Sequence, residues 1–190
     1  MSLFNTPEKK WIKSNQTSAW NRLFTGFSMI DVMITKLMVY ECVSFADTLL
    51  SSQTFAYQNL ALRIDTILLA KMQFYHLATK SATVHNLFYG YIYELYVNHY
   101  QEDIETAHNA LSIMREKEQW YLTQYYDYYE TQSGDFKRVL SQYCDSVATN
   151  RTTDNKYVLA VSTDDLRQQA ALYLSQMHMS FIKQIAPLVK

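Results

Sequence analysis

An all-α fold, a bundle of five to seven mostly antiparallel helices, is predicted by three features of the sequence. Only two prolines, Pro7 and Pro187, and three glycines, Gly26, Gly90 and Gly134, punctuate the 190 residues. A β-rich or α/β chain of this size needs many tight turns, and Gly and Pro are the residues that make them. Apolar residues recur at three- and four-residue steps, and Ser, Thr or Asp stands where such runs begin.

The elements follow in order. Thr6 as N-cap, Pro7 at the first helical position and Glu8 in the first turn open a helix that ends near Gly26. Ser28 caps a second, running to about Leu50, and "SSQT" at 51–54 separates it from a third that carries Leu60, Ile64, Leu68 and Phe74 or Tyr75 to about Lys80. "SAT" at 81–83 is either a break or a polar turn of helix. "VHNLFYGYIYELYVNHY" is the fourth helix, with Gly90 at an interior position that costs about 1 kcal/mol against Ala unless close packing or a kink uses it.

A charged helix is expected from Glu102 to about Thr131, with Glu102, Asp103 and Glu105 at its positive end. "SGD" at 133–135 ends it, and a short helix from Asp135 to about Val147 precedes an irregular loop at 149–162, where "KYVLAV" is the one β-prone stretch. Thr163 caps the last helix, 163–188, with Asp164 and Asp165 in its first turn. There Leu166, Ala170, Tyr173, Leu174, Met177, Phe181 and Ile185 form one stripe for a core. The whole chain, 1–190, reads as a single domain able to bury a core without staples.

Charge and composition narrow the function. With 17 basic against 18 acidic residues the chain has no electrostatic footprint for phosphate neutralisation, so nucleic acid is not an expected partner. Cys42 and Cys144 lie far apart with no CxxC spacing, which suits a reducing cytoplasm better than a disulfide framework. The apolar stretch from Met29 to Leu50 is broken by Asp31, Lys36, Glu41 and Asp47, so no transmembrane segment is expected. No glycine-rich phosphate loop, nucleophile elbow or HExxH occurs, and neither catalytic residues nor a cofactor is expected.

One spacing is ligand-like: Glu105 and His108 in "ETAH", three apart on one helical face. Ferritin-like di-iron bundles use such a pair twice, with one glutamate from each of two further helices. Glu41 could open the set, but the second pair reads "QFYH", with Gln73 in place of a carboxylate, and Glu94 lies close in sequence to Glu105. Glu105 and His108 are therefore weak metal candidates, and surface residues near a helix start are the expected alternative.

"YLTQYYDYYE" at 121–130 places five tyrosines in nine positions. On a helix Tyr121, Tyr125 and Tyr128 fall within about 60°, and Tyr129 and Tyr126 widen the arc to about 160°. Such an arc suits a helix packed along its middle and wet along its flanks, or else a surface for another protein. Tyr93, Tyr96, Tyr125, Tyr128 and Tyr129 are the candidate interaction residues. The expected function is non-enzymatic: a cytoplasmic helical adaptor, scaffold or secretion-associated protein that binds a protein partner or itself.

The words "TPE" at 6–8, "LF" at 23–24, "KL" at 36–37 and "SFAD" at 44–47 resemble phasins, the helical proteins that coat bacterial polyhydroxyalkanoate granules. The rest of the chain is richer in aromatic residues than phasin helices are. The resemblance implies amphipathic helices adsorbed on a hydrophobic polymer or lipid granule, with no catalytic residues.

Overall fold

A computed structural model describes residues 25–51, 60–74, 81–98, 100–124, 138 and 163–185. These form five helices: α1 (Met29–Ser51), α2 (Leu60–Met72), α3 (Ala82–Asn98), α4 (Ile104–Gln124) and α5 (Thr163–Ile185). Among the described residues there is no strand, and the fold is all-α. The helix expected before Gly26, the short helix after Asp135 and the loop at 149–162 lie outside the described residues.

The starts of α1, α3 and α4 are each set by a side chain that accepts an otherwise orphaned backbone N–H. Gly26, at φ 87°, turns the chain ahead of α1. Ser28 Oγ accepts from Asp31 N at 3.1 Å and donates to Asp31 Oδ2 at 2.9 Å, a reciprocal cap. Ser81 Oγ accepts from Val84 N at 3.2 Å, which makes "SAT" the beginning of α3. Asp103 caps α4 through Thr106 N at 2.8 Å, so this helix begins two residues later than its acidic run suggested.

α2 is shorter than expected. It ends at Met72, and the N–H groups of Gln73 and Phe74 turn back to the carbonyls of Ala70 and Lys71 three residues behind. Between α3 and α4, Tyr100 N bonds to Leu95 O and Glu102 N to Tyr96 O. Gln101, at φ 57°, takes the left-handed conformation that lets the chain reverse there.

α1 packs against α2, α3 and α5, while α4 packs against α2 and α3. The core is continuous across all five helices, from Met38, Cys42 and Leu49 through Ile67, Leu68, Phe88 and Ile92 to Ala110, Met114 and Leu174. α5 delivers the stripe the sequence predicts: Leu166, Ala170, Leu174 and Met177 are buried and Tyr173 is packed against them. Among the described residues no helix is long and apolar enough to cross a membrane.

α2 is buried on every side from Arg63 to Met72, its polar residues included. Such a helix must find a partner for each charge it carries inward. Asp65 accepts from Lys117 on α4 at 2.6 Å. The guanidinium of Arg63 lies 3.6 Å from the centre of the Tyr100 ring, and Lys71 is the third case. Of the words that resemble phasins, "TPE" and "LF" lie outside the described residues, while Leu37, Phe45 and Ala46 of the other two are core residues of α1.

Candidate functional site

The densest assembly of chemical groups lies where α2, α3 and α4 meet. Lys71 projects from α2 at 0% exposure and donates to Glu118 Oε1 of α4, while the Tyr89 hydroxyl from α3 donates to Glu118 Oε2. Lys71 Nζ also lies 3.5 Å from His85 Nδ1, and it faces the rings of Tyr89 and Phe88 at 4.6 and 5.0 Å. Three helices thus converge on one carboxylate.

Burial and charge tune these groups in known directions. Desolvation lowers the Lys71 ammonium from its usual range, and the Glu118 carboxylate opposes that fall. His85 is lowered chiefly by its own burial and next by the Lys71 charge, which favours the neutral imidazole that can accept at Nδ1. Burial, reinforced by Glu118, pushes the Tyr89 phenol up, and burial pushes the Cys42 thiol up despite the nearby Lys71 charge. The assembly therefore holds Cys42 as a thiol and Tyr89 as a donor.

On the outer side of Tyr89 a cleft of about 440 Å³ opens between α3 and α4. Asn86, Tyr89, Gly90, Tyr93 and Glu94 line it from α3, and His108, Leu111, Ser112 and Arg115 from α4. Both sets follow helical spacing, so each is a single face. The Tyr93 and His108 rings meet at 4.9 Å, and the Arg115 guanidinium lies 5.0 Å from the centre of the Tyr89 ring. A smaller groove of about 250 Å³ runs between α1 and α5; there Glu41 accepts from Ser180 Oγ at 3.2 Å and Gln184 Nε2 at 3.3 Å.

These positions sort the residues singled out in the sequence. Tyr93 is half-buried on the cleft wall, beside His108 and Glu94. Tyr96 is a correction: at 0% exposure it is a core residue, 5.5 Å from the Tyr100 ring, and cannot present a surface. It shares a helix with Tyr93 but is turned by three residues toward the core. Tyr125, Tyr128 and Tyr129 lie outside the described residues.

Glu105 is exposed in the first turn of α4, and His108 stacks on Tyr93 instead of facing a carboxylate cluster. Glu41 lines the other groove, and among the described residues no three His, Cys, Asp or Glu side chains group as metal ligands. The sequence reading missed Lys71, Glu118, Tyr89, His85 and Arg115. Lys71 alone carried a signal, a charge enclosed in the apolar run "ILLAKM". Comparison of the chain with protein-family models, with curated proteins and with solved structures finds no match.

Proposed function

We propose that the protein is a non-enzymatic helical interaction module of the cytoplasm, an adaptor, scaffold or secretion-associated protein, whose helices belong to a bundle of five to seven mostly antiparallel members. The observation that carries this reading is an apolar patch at the start of α1. Phe27, Met29, Ile30 and Met33 are all exposed, Met29 at 78%. Met29 and Met33 share one face of the helix and Ile30 adjoins them, so the exposure is contiguous and not scattered.

Methionine suits such a surface because its unbranched, polarisable side chain adapts to differently shaped partners. Ser28 and Asp31 cap one another beside the patch, which fixes the first turn and leaves the apolar side chains pointing outward. The buried charges of α2 support the same reading, since Asp65 and Lys71 are ion-paired inside the fold and make a firm base for a binding face.

Photo-crosslinking tests it. A benzophenone amino acid at Met29 should give one discrete covalent adduct in living cells, with another protein or a second copy of the chain. The same group at the exposed Asp164 of α5 is the control. Adducts no stronger at Met29 than at Asp164 would remove the reading, and co-flotation of the protein with buoyant granules would favour surface coating instead.

A further inference from the structure

We propose that the cleft between α3 and α4 is a binding site for a small aromatic carboxylate. Its volume, about 440 Å³, falls within the range of small-molecule sites. Its walls are aromatic: the Tyr89 ring, and the Tyr93–His108 pair with its planes inclined by 37°. A flat ring entering there meets the Tyr93–His108 pair and the Leu111 side chain.

The carboxylate partner is Arg115. Among the described residues Arg115 forms no ion pair, although Glu118 lies three positions along the same helix. Glu118 is not available to it in the usual way, because Lys71 and the Tyr89 hydroxyl engage both carboxylate oxygens on the buried side. A guanidinium resting on an aromatic face keeps its N–H edge for a bidentate carboxylate. Among the residues that line the cleft Arg115 carries the positive charge, so a bound carboxylate orients toward that end.

Gly90 supplies the room. An interior helical glycine costs about 1 kcal/mol against Ala, and no turn or positive φ requires one at this position. It lines the cleft between Tyr89 and Tyr93, where a side chain would stand in the opening. Glu94, whose carboxylate accepts from Asn98 Nδ2 at 2.8 Å, adds a negative charge at the rim. That charge disfavours a dianion and selects the singly charged carboxylate over a phosphate ester. The site is separate from the α1 patch, and neither proposal depends on the other.

Amide NMR spectra of the full chain, titrated with benzoate and indole-3-acetate and with their neutral amides, test the assignment. Saturable shifts are expected at Gly90 and Tyr93, with at least one acid bound about tenfold or more tightly than its amide. Arg115→Met should abolish that acid preference, and Gly90→Ala should weaken acid and amide together while the circular dichroism spectrum is retained. Should Gly90→Ala fail to fold, Arg115→Met decides alone, since its side chain is exposed. No shift with either acid at about 10 mM, an acid bound no better than its amide, or an unchanged preference in Arg115→Met would overturn the proposal. Tighter binding of phenyl phosphate than of benzoate would overturn the carboxylate class.

Discussion

Lys71 and Glu118 show how one buried charge commits its neighbours. Removing both partners of a buried ion pair in favour of apolar groups is often nearly neutral, whereas removing one leaves the other charge uncompensated. Lys71→Met should therefore cost about 3–5 kcal/mol, because Glu118 would remain buried with only the Tyr89 hydroxyl as donor. The triple variant Lys71→Met, Glu118→Leu, Tyr89→Phe removes the charge, the carboxylate and the hydroxyl that would otherwise lose its acceptor. It should recover most of the loss, and urea denaturation of both variants measures this. A triple variant no more stable than Lys71→Met would show that shape, not charge, is what Lys71 contributes.

At the scale of the elements, a side-chain cap marks a helix start to within about two residues, as Asp103 and α4 show, whereas a stop made by the backbone alone leaves no mark. Ser28 and the last-helix stripe of Leu166, Ala170, Leu174 and Met177 stand where sequence places them. The end of α2 at Met72 does not, because the closing bonds to Ala70 O and Lys71 O involve no diagnostic residue. Nor did any glycine mark the α3–α4 reversal, where Gln101 adopts φ 57°. An L side chain there costs roughly 1–2 kcal/mol, partly offset by the lower unfolded-state entropy of a non-glycine residue. Because Gln101 is exposed, Gln101→Gly should raise stability by about 0.5–1 kcal/mol, read as a higher denaturation midpoint at unchanged slope. A lowered midpoint would mean that the reversal gains more from a stiff chain than it loses to strain.

For the whole molecule, the cleft and the buried network escape the sequence for one reason: their members come from three helices, and Lys71 and Glu118 are 47 residues apart. Charged residues read singly look solvated, and tyrosines read singly look amphipathic. The burial that gathers them has a global consequence at alkaline pH. Tyr89, Tyr91 and Tyr96 are all raised by desolvation, Tyr96 to about 12, and the Cys42 thiol lies above its usual 9.0. The unfolded chain releases these protons from about pH 9 to 10 while the folded chain keeps them, so the folded state binds more protons and stability falls as pH rises. Lys71 and the half-buried Lys36, both lowered by burial, act in the opposite sense below 10.5 but are outnumbered. The urea midpoint should decline from about pH 9 and more steeply beyond 10, with the tyrosinate absorbance of the buried phenols withheld until unfolding. Tyr96→Phe isolates one contributor. Its hydroxyl has no hydrogen-bond partner among the described residues, so the change should leave stability at neutral pH unchanged or raised while shallowing the alkaline decline. A midpoint flat to pH 10.5, or tyrosinate absorbance rising fully in the folded protein, would place these phenols in contact with water and undo the packing of α3.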